Sequence, residues 1–264
     1  MLLRSSVAGE RMNINTAVLN GVATIEIARP EKKNALTMAM YQAMTDALNA
    51  AIADSTVRAI LITGQPGMFS SGNDLEDFLQ RPPTGEDSPV FRFMQVLATC
   101  DKPLVAAVTG AAIGIGATLL LHCDLVYVSD EARLAMPFVA LGLVPEFASS
   151  VLLPRLLGHV RATQVLLLGE SFTGADAVEF GMANAALPPD EVVRHARRIA
   201  ERFNALPPGA VRATKRLIRG ATEDEILRVM KNEAAVFAAR LRDPEAQEAF
   251  RAFLQKRRPD PSRH

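Results

Sequence analysis

The sequence contains no tryptophan and two tyrosines, so its aromatic content is 5% and depends mainly on twelve phenylalanines. It also has no net charge, because 29 lysines and arginines balance 29 aspartates and glutamates. A nucleic-acid-binding surface usually needs an excess of basic residues, so this balance argues against a nucleic-acid partner. Cysteine is equally scarce, and the spacing of Cys100 and Cys123 does not suggest a metal site or a redox pair. We therefore expect buried thiols in a reducing compartment and no bound metal.

The sequence has few segments that resemble membrane or targeting signals. Residues 103–121 carry no charge over 19 positions, but Pro103, Thr109 and three glycines interrupt them. A buried strand, a glycine turn and a buried helix fit this segment better than a membrane span. The first eleven residues do not resemble a secretory signal, and residues 262–264 do not form a convincing peroxisomal address. These observations predict a cytoplasmic protein with no membrane partner.

Hydrophobic patterning predicts an α/β fold with a helical C-terminal region. Alternating residues at 14–19 and 22–28 flank Asn20-Gly21, which is a strong signal for a β-hairpin. Further buried strands are expected at 57–63, 104–108 and 125–128, and helices at 38–53, up to about 99, and near 115–122. After residue 145 the pattern is helical, at about 147–156, 159–168, 175–180, 190–204, 208–218, 223–240 and 244–256. Strands that alternate with helices before a helical third are typical of an α/β fold with a helical extension.

Two glycine-marked turns and one isolated carboxylate are the most informative features of the sequence. The turns are residues 69–75 (FSSGNDL) and 110–116 (GAAIGIG), and the carboxylate is Glu146 within residues 141–150 (LGLVPEFASS). Each turn can point a free backbone N–H at one position, as stabilisation of a developing oxyanion requires. A single carboxylate in an apolar segment suits the transfer of one proton back and forth. The pattern therefore indicates an enzyme that forms an enolate.

Other interpretations of these motifs are weaker. Gly114 and Gly116 lack the third small residue of a dinucleotide-binding fingerprint, because Leu119 stands in its place. The glycines could instead serve to let a helix pack closely on a strand. Taken alone, Glu146 is better explained as a first-turn helix residue that the helix dipole favours after Pro145. Its apolar surroundings and the two turns upstream favour the catalytic interpretation.

These motifs and several others resemble the crotonase (enoyl-CoA hydratase/isomerase) superfamily over nearly the whole chain. The matching segments are 28–30, 34–36, 69–75, 102–110, 123–124, 141–145, 168–170 and 181–184. The resemblance implies a crotonase-like ββα spiral core at 1–200 and a helical extension at 201–264 that contributes to trimer formation and CoA contacts. It also implies an acyl-CoA thioester as substrate, no separate cofactor, and a homotrimer or a dimer of trimers.

The resemblance also assigns roles to individual residues. In this family two backbone N–H groups bind the thioester carbonyl, and the matching residues are Asn73 and Ile115. CoA is expected along one loop and one turn, for which the candidate residues are Lys32, Asn34, Ala35, Ser71, Gly72, Asp74 and Leu75. Lys215 is a further candidate for a contact with CoA, and a solvated position on a helix surface is equally compatible with the sequence.

Departures from the family pattern point to isomerisation. Hydratases of the family use two glutamates to add water to a double bond, and Thr118 and Phe138 occupy those positions here. Glu146 is placed as in the peroxisomal-type Δ3,Δ2-enoyl-CoA isomerases, which residues 113–120 also resemble. The expected reaction is therefore the conversion of 3-enoyl-CoA to trans-2-enoyl-CoA through a dienolate, with Glu146 as the one proton carrier. Phe147, where a small residue is common, is expected to narrow the acyl pocket.

Two other functions remain compatible with the sequence. One is a different acyl-CoA reaction on the same fold, such as hydration or a lyase reaction in which Glu146 acts differently. The other is a non-catalytic subunit that binds CoA thioesters. Glu146 argues against the second function, because a site without catalysis does not need that carboxylate.

Overall fold

The structure, a computed structural model, describes residues 13–83, 85–255 and 257–258. The two termini on which the predicted localisation depends lie outside the described residues. No helix in the described part of the chain is long and apolar enough to cross a membrane. The segment 103–121 instead forms two strands, a helical turn and the start of a 3₁₀ helix.

The described residues form ten strands and eleven α-helices. The strands are β1 (Ile14–Leu19), β2 (Val22–Ile27), β3 (Ala59–Thr63), β4 (Met68–Ser70), β5 (Leu104–Val108), β6 (Ala111–Ile113), β7 (Leu125–Ser129), β8 (Arg133–Ala135), β9 (Phe172–Thr173) and β10 (Ala185–Leu187). The helices are α1 (Met38–Ala53), α2 (Leu75–Gln80), α3 (Pro89–Ala98), α4 (Ile115–Thr118), α5 (Ser149–Leu157), α6 (His159–Leu168), α7 (Gly174–Glu179), α8 (Pro189–Glu201), α9 (Pro208–Gly220), α10 (Glu223–Leu241) and α11 (Pro244–Leu254). Short 3₁₀ helices lie at Pro30–Lys32, Leu119–His122, Val139–Leu141 and Arg202–Ala205.

The larger sheet has the strand order β1-β2-β3-β5-β7-β10. Its first pair is the predicted antiparallel hairpin, and the other pairs are parallel. Asn20 and Gly21 have φ values of 49° and 69°, which are the left-handed conformations that a two-residue type I′ hairpin requires. The expected strand at 57–63 begins two residues later, at Ala59, and the strands at 104–108 and 125–128 are confirmed within one residue.

The central strands of this sheet are buried on both faces. Ile60 and Ile62 of β3 belong to the main core with helices α1 and α3, while Leu61 packs with Val192 and Ala196 of α8 on the other face. A strand covered on both faces reads as a continuous apolar run, which explains why its sequence shows no alternation. The sheet is therefore a rigid, fully covered layer.

A second, smaller sheet with the order β4-β6-β8-β9 was not predicted. Its strands have two or three residues each, which is too short for a readable alternation of apolar and polar residues. β9 and β10 also interrupt the predicted helical region after residue 145, although the expected helices there are present with boundaries that differ by up to three residues. The proposed domain boundary at 200/201 falls at the end of α8, and the division into two domains stays a prediction.

The small sheet determines where the two glycine turns lie. β3 leads into β4, and β5 leads into β6, while β4 and β6 pair side by side in parallel. Asn73 and Ile115 follow shortly after the C-terminal ends of β4 and β6, so both residues lie at the same end of these two parallel strands. The fold thus brings together two segments that are about forty residues apart in the sequence.

Candidate active site

The two glycine turns are in direct contact. Gly72 has a φ of 93° and Gly114 a φ of 55°, so both adopt conformations that residues with a Cβ rarely reach. A Cβ on Gly72 would lie 3.0 Å from the carbonyl oxygen of Ile113, and one on Gly116 would lie 3.0 Å from Ser70. Glycine is therefore required at Gly72 both by backbone conformation and by the close approach of the second turn.

Each turn contains a predicted oxyanion donor whose N–H has no acceptor among the described residues. The N–H of Leu36 donates to the carbonyl of Gly72 at 2.8 Å, and the N–H of Asp74 donates to that of Leu36 at 2.9 Å. These bonds engage both neighbours of Asn73, whose own N–H donates to no acceptor among the described residues. Ile115 is the first residue of α4, so its N–H has no intrahelical acceptor. Two free donors on turns that are in contact are groups that the predicted carbonyl-binding site needs, and that site stays a prediction.

A buried tyrosine supports the first turn. Tyr41 of α1 has no exposed surface, and its hydroxyl donates a hydrogen bond to Oδ1 of Asn73. Burial, with a further contribution from the nearby charge of Glu146, raises the pKa of Tyr41 well above its usual value. The phenol therefore keeps its proton. Sequence reasoning missed this residue, because its helical spacing with Met44 and Leu48 is that of an ordinary core position.

Hydrogen bonds of Asn34 connect the predicted CoA-binding loop at 32–35 to the strand that leads into the first turn. Its side chain is fully buried, accepts from the N–H of Arg29 at 2.7 Å and donates to the carbonyl of Met68 at 2.9 Å. The hydroxyl of Ser70 donates in return to the carbonyl of Asn34 at 2.9 Å. Asn34 thus organises the loop from inside the protein, and the adjacent Ala35 accepts a further hydrogen bond from Arg29.

Asp74 links the same turn to α2. It accepts hydrogen bonds from the N–H groups of Glu76 and Asp77 at the start of α2, and it pairs with Arg29 at 2.7 Å. Burial acts to raise the pKa of Asp74, but these hydrogen bonds and the arginine outweigh it, so the pKa is lowered. The side chain of Lys32 is exposed, and its Nζ lies 3.4 Å from Oε2 of Glu76. Contacts between the loop and the turn therefore bring together the segments that contain Lys32, Asn34, Ala35, Ser71, Gly72, Asp74 and Leu75.

Lys215 lies elsewhere and is not solvated. It is 7% exposed, and its ammonium group donates to the carbonyl of Lys102 and to Asp124, both at 2.6 Å. The predicted alternative of a solvated helix face is wrong, because the side chain points inward from α9 to Lys102 and Asp124, which lie just before β5 and β7. Both contacts of the Lys215 ammonium group are inside the fold, and neither is with the loop at 32–35 or the turn at 71–75.

Glu146 is a buried carboxylate without a hydrogen-bond partner on one oxygen. Its side chain is 5% exposed, and Oε1 has no partner among the described residues. Burial, together with the charge of Glu233, raises the pKa of Glu146 to about 8. The alternative of a first-turn helix residue is wrong, because α5 begins only at Ser149 and residues 147–148 adopt left-handed conformations before it.

Glu146 faces a small apolar cavity of about 50 Å³. The apolar lining comes from α2, α3, α10 and the turn itself, and consists of Phe78, Val90, Phe91, Met94, Phe147, Met230, Ala234 and Phe237. Phe147 lines the cavity as expected, but the residues from α3 and α10 had no sequence signal beyond ordinary helical amphipathicity. A carboxylate on such a wall is poorly solvated, which favours its neutral form and makes its ionised form a stronger base.

Neither predicted hydratase position carries a group that can activate water. Thr118 is fully buried in α4, where its hydroxyl has no hydrogen-bond partner among the described residues. Phe138 is also buried, and its ring lies 3.9 Å from the position of a Cβ on Gly114. In the part of the chain that the structure describes, no cluster of His, Cys, Asp and Glu side chains could hold a metal ion.

Comparison with known proteins gives consistent matches over the whole chain. The family model described as Enoyl-CoA hydratase/isomerase matches residues 18–262. Human Enoyl-CoA delta isomerase 2 is 33% identical over 245 residues, which make up 90% of this chain and 62% of the human protein. The chain therefore spans less than two thirds of that relative. Escherichia coli 2,3-dehydroadipyl-CoA hydratase is 31% identical over 241 residues, which are 90% of this chain and 94% of the relative.

A solved structure is more similar still. OdaA of Pseudomonas aeruginosa is 52% identical, and the match covers 92% of this chain and 98% of OdaA with a TM-score of 0.90. The related proteins with assigned names thus include an isomerase and a hydratase. Similarity alone leaves both activities open, so the choice between them depends on the residues around Glu146.

Proposed function

This chain belongs to the enoyl-CoA hydratase/isomerase family, and we propose that it is an enzyme that converts 3-enoyl-CoA thioesters to trans-2-enoyl-CoA. The predicted crotonase-like α/β fold with a helical C-terminal region is confirmed by its similarity to solved structures of the family. The observation that carries the proposal is the lone carboxylate of Glu146, buried beside an apolar cavity with Oε1 unpartnered. Isomerisation needs one group that removes a proton and returns it, which is what one such carboxylate can do.

The proposed reaction starts with the thioester carbonyl bound by the N–H groups of Asn73 and Ile115. Glu146 takes a proton from carbon 2, and the electron pair of that C–H bond moves toward the carbonyl oxygen to form a dienolate. The double bond then shifts from carbons 3 and 4 to carbons 2 and 3 as Glu146 returns the proton to carbon 4. Each backbone donor is expected to contribute about 3–4 kcal/mol to stabilisation of the negative oxygen. No proton is gained or lost overall, and CoA enters as part of the substrate.

Hydration is the second candidate, because a relative of similar identity is named as a hydratase. It would require a group that activates water at carbon 3, and Thr118 and Phe138 offer none. The apolar wall that surrounds Glu146 also disfavours water at the reacting carbons. These observations support isomerisation over hydration.

We also propose a homotrimer or a dimer of trimers, which the family resemblance implies. Several large apolar side chains on the outer helices are exposed, namely Leu156, Val160, Leu167, Leu168, Leu217 and Ile218. Exposed apolar residues in such numbers support burial in contacts between subunits. Sedimentation velocity of the purified protein would check this assembly, and a monomer at micromolar concentration would refute it.

The proposed reaction is tested with matched substrates. The protein is incubated with 3-hexenoyl-CoA and with trans-2-hexenoyl-CoA, and isomerisation and hydration are measured separately. We expect isomerisation to dominate and Glu146→Gln to reduce it by at least about 10²–10⁴-fold, with thioester affinity nearly unchanged. Comparable rates of hydration would favour the hydratase alternative. Binding of both thioesters without turnover would indicate a non-catalytic subunit.

A further inference from the structure

The turn that carries Glu146 is held in an unfavourable conformation. Phe147 and Ala148 have φ values of 60° and 57°, so two consecutive residues with a Cβ are left-handed. Each such residue costs on the order of 1–2 kcal/mol, and the conformation persists only when surrounding contacts maintain it. The position of the Glu146 side chain therefore depends on whatever holds these two residues.

A second buried carboxylate, Glu233 of α10, provides this support. It accepts a hydrogen bond from the N–H of Ala148 at 2.6 Å and another from the N–H of Ser150 at 3.0 Å. The hydroxyl of Ser150 donates to it as well. Ala148 is the N-cap of α5 and has no side chain that could cap the helix. Glu233 therefore caps α5 from another helix, 85 positions further along the chain from Ala148.

The rest of the surroundings is neutral or acidic. His122 stacks on Phe147 with ring centroids 3.9 Å apart, and its Nε2 lies 2.8 Å from the carbonyl oxygen of Phe147. Burial lowers the pKa of His122 to about 3, so this ring is neutral and donates its Nε2 proton to the carbonyl. Tyr41 on α1 keeps its proton, as described above. No cation pairs with Glu233 among the described residues, and its charge contributes to the raised pKa of Glu146.

We propose that Glu233 is a positioning residue for Glu146: its carboxylate holds the left-handed turn at Phe147 and Ala148 and thereby fixes the orientation of the base. This inference rests on the proposed function of Glu146. Burial raises the pKa of Glu233, and its hydrogen bonds from Ala148 and Ser150 act in the opposite direction. Oε1 of Glu146 accepts no such bond, so Glu233 ionises before Glu146. Once ionised, Glu233 adds to the effect of burial and keeps the proton on Glu146 to higher pH, so it shifts the pH at which the base becomes active.

The test compares Glu233→Gln with Glu225→Gln as a matched control. Glu225 lies on the same helix and also contacts α5, through Arg155 at 2.7 Å, but it does not contact the turn. In Glu233→Gln the amide can accept one of the N–H groups, while its NH₂ group opposes the other. We expect kcat for 3-hexenoyl-CoA to fall about 10–100-fold with KM little changed, because small displacements of a reacting group have effects of this size.

The pH dependence separates positioning from a purely structural role. Loss of the negative charge should move the acid limb of the kcat/KM profile to lower pH in Glu233→Gln and leave it unchanged in Glu225→Gln. Titration of the Glu146 carboxyl carbon by NMR, assigned with Glu146→Gln, should show the same shift without any reaction. This measurement distinguishes failure of the inference from failure of the proposed activity, because it requires no turnover.

The proposal requires both effects. A wild-type kcat in Glu233→Gln overturns it, and so does a loss of kcat without a shift in the Glu146 titration. If Glu233→Gln does not fold, Ser150→Ala is the second variant. It removes the hydroxyl that donates to Glu233 and keeps the bond from the N–H of residue 150. A several-fold lower kcat with unchanged KM then supports the proposal, and wild-type kinetics overturn it.

Discussion

The hydroxyl of Tyr41 donates a hydrogen bond to the side chain of Asn73, the residue whose free N–H belongs to the first glycine turn. The contact connects helix α1 to the first turn through the side-chain oxygen Oδ1 of Asn73. The backbone N–H of Asn73 takes no part in this contact and has no acceptor among the described residues. The side chain of Asn73 therefore helps to support the turn, while the backbone carries the donor.

We expect side-chain and backbone changes at the two turns to differ sharply in effect. Asn73→Ala and Tyr41→Phe keep the backbone and should each reduce kcat/KM less than about tenfold. Gly72→Val and Gly114→Val add a Cβ at positive φ, so each should reduce it by at least about 10²-fold through loss of an oxyanion donor. The measurement is steady-state kinetics on variants with matched circular dichroism. If Asn73→Ala were as damaging as Gly72→Val, its side chain would take part in the chemistry.

The raised pKa of Glu146 makes the stability of the fold depend on pH. In the unfolded chain the carboxyl loses its proton above about pH 4.5, whereas in the folded protein it keeps the proton until about pH 8. Folding therefore becomes less favourable as the pH rises through this interval. Glu146→Gln lacks this titrating group, so its free energy of unfolding should not fall in this way. The difference in free energy of unfolding between the variant and the parent should therefore grow to a few kcal/mol in favour of the variant between pH 5 and pH 8.

Urea unfolding at several pH values checks this expectation. Glu225→Gln, an exposed change on α10, should follow the pH dependence of the parent protein. A constant difference between Glu146→Gln and the parent across the interval would mean that Glu146 has an ordinary pKa in the folded state. The same result would weaken its proposed role as a desolvated base.

Long elements of this fold could be predicted because their signals are local. Helix α1 has the predicted bounds 38–53, since Thr37 caps it and its apolar residues recur at helical spacing. The hairpin turn at Asn20-Gly21 is equally local. The small sheet could not be predicted in this way, because strands of two or three residues are defined by their partners and not by their own pattern.

The residues of the candidate site also differ in whether their sequence signals are local. Glycines and an isolated carboxylate marked the two turns and Glu146 in the sequence. Tyr41 and Glu233 gave no such mark, because their roles arise from contacts with Asn73 and Ala148 that are distant in the chain. For Lys215 the alternative of a solvated helix face was wrong for a related reason, while its contact with CoA stays a prediction. Its helix exposes neighbouring basic residues, and only the fold shows that this one turns inward to Asp124.

The hydroxyl of Thr118, which has no hydrogen-bond partner among the described residues, leads to a prediction about stability and about the rate of isomerisation. Thr118→Val keeps the shape of the side chain and removes a buried polar group that has no hydrogen bond. We expect an increase of about 1–2 kcal/mol in the free energy of unfolding and isomerisation within twofold of the parent. Thr63→Val is the control, because that buried hydroxyl donates to the carbonyl of Ala107 at 3.2 Å and its loss should destabilise the protein. A large loss of activity in Thr118→Val would instead give the hydroxyl a part in the reaction.

The acyl chain that the enzyme accepts should depend on the contact between Phe78 and Phe237. Their rings meet edge to face with centroids 6.3 Å apart. Phe78 lines both the cavity of about 50 Å³ at Glu146 and a second cavity of about 380 Å³ between α2 and helices α10 and α11. Part of the wall of the second cavity is apolar, with Leu79, Ala238 and Leu241, and another part carries Arg242, Gln247 and Arg251. We expect the apolar part to take an alkyl chain when the ring contact is opened.

Phe237→Leu removes the ring that meets Phe78 and keeps an apolar side chain in its place. The kcat/KM ratio of 3-dodecenoyl-CoA to 3-hexenoyl-CoA should therefore rise at least about fivefold, since each newly buried methylene is worth roughly 0.8 kcal/mol. Phe253→Leu is a matched control, because Phe253 is 61% exposed on α11 and the same substitution there should leave the ratio unchanged. An unchanged ratio in a folded Phe237→Leu protein would show that the acyl chain does not pass this contact. The acyl chain would then have to leave Glu146 in another direction, past Met94 or Met230, which also line the small cavity.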